Sequence, residues 1–230
     1  RALVVLVVSF GPSVLAAQAP RNLVAEPQLV LREVATFGGM DSRPAYSFST
    51  IRDIALLPEG RVAVADGASQ EIRLFALDGA YSGHLGGRGD GPGEFRAIRD
   101  LVVLPGGRLL AWDIQRGGIT IFGSDGDVIE TYGVDAGAAD ILFPQFAGAF
   151  ADGGVLIRDE VHPIGMRNEP AATRRDSITL VAWGPSGAVG SSGLSFEGPE
   201  RDFYNEDGNW GFDEPLFANE LTHAVIGDTV

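Results

Sequence analysis

The sequence predicts an all-β fold built from repeated four-stranded antiparallel sheets. Two observations carry this prediction: an ungapped internal repeat, and short strands that alternate with Gly- and Pro-containing turns. A third supports it, because no segment combines a 3.6-residue apolar period with helix caps. The chain has 230 residues, of which 45% are apolar and 21% charged, and this composition is typical of a globular protein.

The repeat relates residues 51–79 to residues 98–126 at an offset of 47, with identical residues at twelve aligned positions. Each copy reads as a meander of four short strands, and the hairpin signal Asp78-Gly79 recurs as Asp125-Gly126. The strands predicted for the first copy cover residues 52–57, 61–65, 72–77 and 81–85. Four strands in about 40 to 50 residues is the period of a propeller blade, so we predict a β-propeller of four-stranded antiparallel blades.

Weaker copies flank this pair. Residues 34–39 resemble a fourth strand, which would complete the last blade of a closed ring and latch it. A third copy begins near Gln145, with its second strand in residues 151–157 and its third in residues 178–183. Its hairpin turn is predicted at Ser186-Gly187.

Two stretches depart from the simple repeat: residues 161–176 are predicted to be an insertion, and residues 191–220 a long loop. A fourth copy begins near Leu221. The sequence thus holds about three blades, a latch strand and a stub, and we expect a fragment of a longer propeller or a truncated gene model.

The first 19 residues have the layout of a secretory signal peptide. A basic residue precedes an apolar run over residues 2–10, and Gly11, Pro12 and small residues follow. This run is shorter than the roughly 20 apolar residues that span a bilayer. We predict a signal peptide over residues 1–19 and a partial propeller domain over residues 20–230. The protein is then secreted or periplasmic, or anchored if the signal is not cleaved; the alternative for this segment is a buried N-terminal strand.

The composition excludes several classes of function. The 17 basic and 31 acidic side chains give a net charge of -14, which argues against nucleic-acid binding and against docking on anionic membranes. The absence of Cys excludes disulfides, thiolate zinc sites and cysteine nucleophiles. All basic residues are Arg, so Schiff-base chemistry and a P-loop lysine are excluded as well.

Residues 54–95 resemble the NHL-type repeat. They contain its Pro-x-Gly turn, a Val-Ala-Asp strand end, an Ile-x-x-Phe third strand, an Asp-Gly turn and a final Pro-Gly-Glu-Phe. The resemblance extends over roughly residues 29–190 and implies a six-bladed propeller like those of secreted bacterial proteins of this type. Six blades at this period need about 280 residues, which is more than this chain contains.

Two charged pairs, Arg52-Asp53 and Arg99-Asp100, recur at the start of the first strand. The first strand of a propeller blade lines the central channel, where a ring of alternating charge would hold a polar ligand. We therefore predict these four residues as ligand-binding. The alternative is ion pairing between neighbouring blades, which would support the ring.

Asp66 and Asp113 each end a second strand. They would suit a cation near the channel, but we favour a structural role in which their carboxylates accept backbone N–H groups of the following turn. The Gly-rich residues 86–95 contain Arg88, Asp90 and Glu94. A phosphate cradle needs a helix after the loop, and a strand is predicted there, so we expect tight backbone paths between blades.

The three histidines fall at non-equivalent positions of their copies, which argues against a ring-type zinc site; they are His84, His162 and His223. Residues 197–214 are rich in carboxylates but lack the glycine position of an EF-hand loop, so we predict a solvated acidic loop. These carboxylates are Glu197, Glu200, Asp202, Glu206, Asp207, Asp213 and Glu214. Aromatic residues of the same loop are expected to cap a propeller face or line a ligand groove. They are Phe203, Tyr204, Trp210, Phe212 and Phe217.

These features favour an extracytoplasmic NHL-like β-propeller that binds a protein, peptide or glycan ligand, with no catalytic residues, metal site or cofactor. Membrane insertion after signal cleavage is not expected. The alternative is a metal-dependent propeller enzyme, a lactonase-like hydrolase or an amidating-lyase-like protein, with calcium or zinc in the central channel. This alternative rests on the resemblance and needs Glu, Asp, Asn or His side chains that converge from several blades.

Overall fold

The computed structural model describes residues 3–9, 30–37, 43–139, 141, 144–161, 172–188, 194–206 and 209–213. Within these ranges the protein is all-β, and its sixteen strands form four antiparallel sheets. Helical structure there is limited to three 3-10 segments, Pro44–Tyr46, Pro105–Gly107 and Ala136–Ala139. Nowhere in these ranges is a helix both long and apolar enough to cross a bilayer.

The N-terminal strands form a sheet of their own. Strand β1 (Leu3–Ser9) pairs with β2 (Val30–Phe37) in an antiparallel ladder. The strand predicted over residues 34–39 is confirmed as far as Phe37, and residues 38 and 39 lie outside the described residues. Its partner is β1 and not a strand of a blade, so the predicted latch is wrong for the described residues. The reason is that the Val- and Leu-rich β1 offers β2 a complete ladder. Cleavage of residues 1–19 as a signal peptide stays a prediction.

Blade 1 is a four-stranded meander in sequential order. Its strands are β3 (Ile51–Leu56), β4 (Arg61–Asp66), β5 (Glu71–Ala76) and β6 (Tyr81–Gly86). Each boundary lies within one residue of the prediction. Gly60 and Gly79 have φ of 80° and 89°, and their N–H groups close the two hairpin turns at 2.9 Å. Positive φ is readily adopted only by glycine, which explains why these turns are legible in the sequence.

Blade 2 repeats this arrangement with strands β7 (Ile98–Leu104), β8 (Arg108–Asp113), β9 (Gly118–Phe122) and β10 (Val128–Gly133). The register is also repeated: Ile98 pairs with Asp113 as Ile51 pairs with Asp66. In both blades the ladder then shifts by one residue, so the first strand carries a β-bulge just after its start.

Blade 3 is a larger sheet. Its strands are β11 (Pro144–Ala149), β12 (Val155–Val161), β13 (Ala172–Gly184), β14 (Gly187–Ala188), β15 (Leu194–Glu206) and β16 (Asn209–Asp213). The predicted second and third strands are confirmed as β12 and β13, which pair over seven residues. The turn predicted at Ser186-Gly187 is confirmed by the short β13–β14 hairpin.

One prediction about blade 3 is wrong. The expected insertion over residues 161–176 stands as an addition to the repeat, and its end is strand, because β13 already begins at Ala172 and its first residues pair with β15. The expected loop over residues 191–220 contains β15 and β16, which form an antiparallel hairpin. The physical reason is that the long β13 presents an unpaired edge, and the backbone groups of such an edge require hydrogen-bonding partners.

The blades pack face to face, as in a β-propeller. Alternate residues of β4 face opposite sides: Ala63 and Ala65 pack against blade 2, whereas Val62 and Val64 pack under Phe48 on the other face. A second core joins blades 2 and 3; its largest buried side chains are Trp112, Ile119, Ile121, Ile157 and Trp183. First strands β3 and β7 also contact each other. The described sheets do not close into a ring.

Candidate functional site

The two Arg-Asp pairs lie on the first strands of blades 1 and 2, as predicted. Arg52 and Arg99 are the extra residues of the two β-bulges, and both side chains are exposed. A bulge changes the direction in which a side chain points. Arg52 lies over the turn after β4, where a Cβ on Gly67 would come within 2.7 Å of the arginine Nε. Glycine at this turn is what gives Arg52 room.

Asp53 connects the two blades. Its Oδ2 accepts the backbone N–H of Leu101 in β7 at 2.7 Å, and its Oδ1 accepts the N–H of Ile54 at 2.7 Å. Strand β7 is an edge of its sheet, so the N–H of Leu101 has no strand partner of its own. The carboxylate therefore stabilises the contact between blades, as the alternative to ligand binding proposed. It does so by accepting a backbone N–H and not by forming the expected ion pair.

Asp100 is the residue of blade 2 that is equivalent to Asp53 of blade 1, and its side chain is half-buried. Burial raises the pKa of its carboxyl group, the charge of Asp53 raises it further, and Arg99 opposes both. In blade 3 the same register position, opposite the second strand, holds Gln145, which pairs with Arg158 as Asp100 pairs with Trp112. The charged pair is thus not repeated in blade 3, and blades 1–3 line up two carboxylates and one amide.

The structural role predicted for Asp66 and Asp113 is confirmed. Asp66 Oδ1 accepts the N–H of Ala68 at 3.0 Å, and Asp113 Oδ1 accepts those of Gln115 and Arg116 at 3.0 and 3.1 Å. The sequence prediction missed Asp159, which is buried and pairs with Pro144 at the matching register of blade 3. The signal was present, because the strand that begins at Val155 continues to an aspartate as β4 and β8 do.

The Gly-rich residues 86–95 form the connection between blades 1 and 2. Strand β7 follows the connection, as predicted. Phe95 donates its N–H to the carbonyl of Gly87 at 2.7 Å, and its ring packs against Phe122 with the centroids 6.3 Å apart. Gly86 has φ of 72° and lies directly on the ring of Phe95, so a side chain at this position has no space. The glycines therefore serve the tight path that was expected.

A cavity of about 290 Å³ lies between this connection and the outer strands of blade 2. Its floor is the β9–β10 ladder, where Gly118 pairs with Gly133 and Thr120 with Thr131. Its rim consists of the connecting loop and the turn after β8, which contribute the side chains of Asp90, Glu94 and Arg116. The sequence did not reveal this cavity, because its walls come from three separate segments, residues 90–94, 113–120 and 131–133.

Hydrogen bonds order the rim of the cavity. Arg96 Nε donates to Asp90 Oδ1 at 2.7 Å, and this bond lowers the pKa of the Asp90 carboxyl group. Glu94 Oε2 accepts the N–H of Gly91 at 2.8 Å, and Arg116 Nη1 donates to the Glu94 carbonyl at 3.2 Å. Carboxylate, guanidinium and hydroxyl groups thus meet around one opening, an arrangement suited to binding a polar ligand.

Tyr132 belongs to the same cavity and to the contact with blade 3. Its hydroxyl donates to the carbonyl of Gly153 at 2.7 Å. Burial raises the pKa of this phenol, and the charges of Glu130 and Asp152 raise it further. The tyrosine therefore stays protonated and keeps its donor at neutral pH.

The histidines do not form a shared site in the described residues. His84 lies on β6, where its Nδ1 is 3.1 Å from the Tyr81 hydroxyl; His162 and His223 lie outside the described residues, as does the fourth copy expected near Leu221. In the part of the chain that the structure describes, no three His, Asp or Glu side chains are grouped so that they could hold a metal ion.

The carboxylates predicted as a solvated acidic loop stand partly on the β15 strand and have strand partners. Arg175 Nε is 3.5 Å from Glu200, and its Nη1 is 3.9 Å from Glu197. Thr173 donates its hydroxyl to Asp202 at 2.6 Å. Tyr204 is 37% exposed on the same strand. Phe203, Trp210 and Phe212 are placed on β15 and β16, and Phe217 lies outside the described residues.

Comparison with known proteins gives similarity in structure only. No protein-family model and no curated protein matches the chain. A Bacteroides fragilis protein thought to be exported matches at 13% identity and a TM-score of 0.47, over 72% of this chain and 48% of that protein. Streptogramin B lyase matches at 9% identity and a TM-score of 0.39, over 74% of this chain and 70% of that protein. A catalytically inactive virginiamycin B lyase from Staphylococcus aureus with quinupristin matches at 11% identity and a TM-score of 0.39, over 76% of this chain and 61% of that protein. The chain spans about half the length of the Bacteroides fragilis protein.

Proposed function

We propose that this chain forms blades of an extracytoplasmic, six-bladed NHL-like β-propeller that acts as a ligand- or protein-binding module. The observation that carries the proposal is the cavity of blade 2, which lies between its outer strands and the connection from blade 1 and has a rim of Asp90, Glu94 and Arg116. Its walls belong to the sheet of blade 2 and a hydrogen-bonded loop, so the site is formed before the ligand arrives. Such preorganisation lowers the cost of ordering on binding.

The channel-side charges are a second part of this proposal. Arg52, Arg99 and Asp100 are proposed ligand contacts, because the two arginines are exposed and the carboxylate has a raised pKa. Asp53 is assigned to the contact between blades, since both of its oxygens accept backbone N–H groups. Export is supported by the signal-peptide pattern of residues 1–19.

The test is a screen of the purified protein on peptide and glycan arrays, with two variants. Thr131→Trp places a large side chain in the cavity and is expected to weaken binding at least tenfold. Thr36→Trp adds the same side chain to the exposed edge of β2 and should bind like the wild type. Equal binding by wild type and Thr131→Trp would remove the cavity from the proposal.

Metal content and export are measured on the same preparation. The binding module is expected to keep its ligand after treatment with EDTA. Tightly held stoichiometric calcium or zinc, together with turnover of a lactone or peptide substrate, would replace it with the enzyme alternative. N-terminal sequencing of the exported protein is expected to find residue 20 first, or residue 17 if cleavage follows Ala16 instead of Ala19, and an N-terminus upstream of both would contradict cleavage.

A further inference from the structure

Blade 1 contains a buried arginine with an unusually complete set of acceptors. Arg73 on β5 is only 7% exposed. Its Nη2 is 3.1 Å from Asp66, and its Nε donates to Glu71 at 3.2 Å. Its guanidinium group also lies over the ring of Phe48, 5.2 Å from the centroid. A buried cation is tolerated only when charges and hydrogen bonds compensate for its desolvation, and these contacts do so.

The remaining acceptors are carbonyls of the segment that precedes blade 1. Arg73 Nη1 donates to the carbonyls of Ser47 at 2.7 Å and Pro44 at 3.1 Å, with Ala45 at 3.4 Å. The segment is itself turned by a bond from Ser47 N–H to the Pro44 carbonyl at 3.1 Å. A guanidinium group is therefore enclosed between an entering loop and the outer strands of the blade.

The cavity in blade 2 occupies the equivalent place. The repeat offset of 47 relates Arg73 to Thr120 and relates Asp66 to Asp113, and both blade 2 residues line the cavity. The same offset carries the three carbonyl-bearing loop residues to Gly91, Pro92 and Glu94, which also line it. The loop is turned in the same way, with Glu94 N–H on the Gly91 carbonyl at 3.0 Å. Blade 2 thus has the walls of the arginine site and a short threonine where the arginine would be, while Arg116, at the position of Ser69, donates to the Glu94 carbonyl.

The charges around the blade 2 cavity also suit a cation. Glu71 has no counterpart there, because Gly118 stands at its position, but the loop supplies Asp90 and Glu94 instead. Arg96 pairs with Asp90, and Arg116 takes the Glu94 carbonyl, so these two acceptors are already engaged. The carboxylates of Glu94 and Asp113 accept only backbone N–H groups, and their negative charge is not matched by an ion pair within 4 Å in the described residues.

We infer that the cavity of blade 2 binds a guanidinium group, in the place that Arg73 fills in blade 1. This inference rests on the proposed function, because it names the ligand chemistry of the same cavity. Carboxylates and loop carbonyls accept the five N–H donors of the guanidinium, whose planar shape an ammonium group does not reproduce. The group comes either from a small molecule or from an arginine side chain of a peptide, and both present the same chemistry.

The first experiment is an NMR titration of the whole protein with N-acetyl-arginine amide, N-acetyl-citrulline amide and N-acetyl-lysine amide. Citrulline has nearly the shape of arginine without its charge. The arginine compound is expected to bind at least tenfold more tightly than the other two and to shift the amide signals of residues 90, 91, 93, 94 and 118–120. Equal affinity for arginine and citrulline overturns the inference. The arginine peptide Gly-Arg-Gly and free L-arginine then distinguish a peptide ligand from a small one by their relative affinity.

The second experiment fills the cavity from within. Thr120→Arg gives blade 2 the residue of blade 1 and is expected to reduce binding of the arginine compound at least tenfold while raising the Tm. Thr36→Arg makes the same charge change outside the cavity and should leave binding unchanged. If Thr120→Arg does not fold, Glu94→Gln removes one carboxylate at the rim and is expected to weaken binding several-fold.

Wild-type affinity in Glu94→Gln, or in a folded Thr120→Arg, overturns the inference. Its failure is distinguishable from failure of the proposed function. Array ligands without arginine that bind the wild type and are lost in Thr131→Trp would overturn the guanidinium site and leave the binding module in place.

Discussion

The bond from Asp53 to Leu101 predicts how strongly one carboxylate holds two blades together. Asp53→Ala removes both accepted N–H bonds, one across the blade contact and one local. The N–H of Leu101 lies on the edge of its sheet, and Leu101 itself is only 7% exposed, so water cannot easily replace the lost carboxylate acceptor. A hydrogen bond to a charged acceptor contributes about 1.5–3 kcal/mol, and the local bond adds less.

We therefore expect Asp53→Ala to lower the free energy of unfolding by about 2–3 kcal/mol. For a chain of this size the corresponding fall in Tm is about 4–12 °C. The change is best measured in an Asp100→Asn background, because the Asp53 charge raises the pKa of Asp100 and its removal would otherwise offset part of the loss. The assay is urea unfolding followed by tryptophan fluorescence, since Trp112 and Trp183 lie buried between blades 2 and 3.

Asp125→Ala is the matched control. Asp125 accepts a single N–H from Asp127 at 3.2 Å in an exposed turn, with no contact across blades. Its loss should cost about 0.5–1 kcal/mol. Equal effects of the two substitutions would refute the reasoning, because the bond across the blades would then add nothing. An altered slope of unfolding free energy against urea would show instead that the blades unfold separately.

Three further predictions concern other buried polar groups. Asp100→Asn should stabilise the protein at neutral pH. The folded state keeps the proton of the Asp100 carboxyl group to a higher pH than the unfolded state does, so the contribution of Asp100 to stability falls as the pH rises from 3.8 through the raised pKa. Unfolding measured as a function of pH should show this fall in the wild type and not in the variant. A variant that still shows it would contradict the assignment. Arg73→Met should lower the free energy of unfolding in urea by about 3–5 kcal/mol, because it leaves the buried Asp66 carboxylate without its ion-pair partner. The control is Arg61→Met, which removes an exposed ion pair, and equal losses in the two variants would contradict this explanation. Tyr132→Phe should cost about 1 kcal/mol in the same assay by removing its bond to Gly153, and an unchanged Tm speaks against that contact.

The regular part of the fold was predictable because its signals are local. Gly60 and Gly79 mark their turns through positive φ, and the alternation in β4 and β8 buries both faces of a central strand. Because the repeat has no gaps, each strand is predicted twice, and a weak pattern in one copy is supported by the aligned residues of the other. The same logic supported a backbone-capping role for Asp66 and Asp113, since their turns follow immediately in the chain.

The sequence by itself therefore determined the blades, their turns and the capping carboxylates, all of which depend on neighbours within a few residues. Only the tertiary structure decided that β2 pairs with β1, that β15 and β16 extend blade 3, and that Asp53 bonds across to blade 2. It also showed that the buried Arg73 of blade 1 and the cavity beside Thr120 of blade 2 occupy equivalent places, because the loop that lies against each of them is distant in the chain. Edges and cavities are formed by segments far apart in the chain, and no local pattern encodes which segment will meet them.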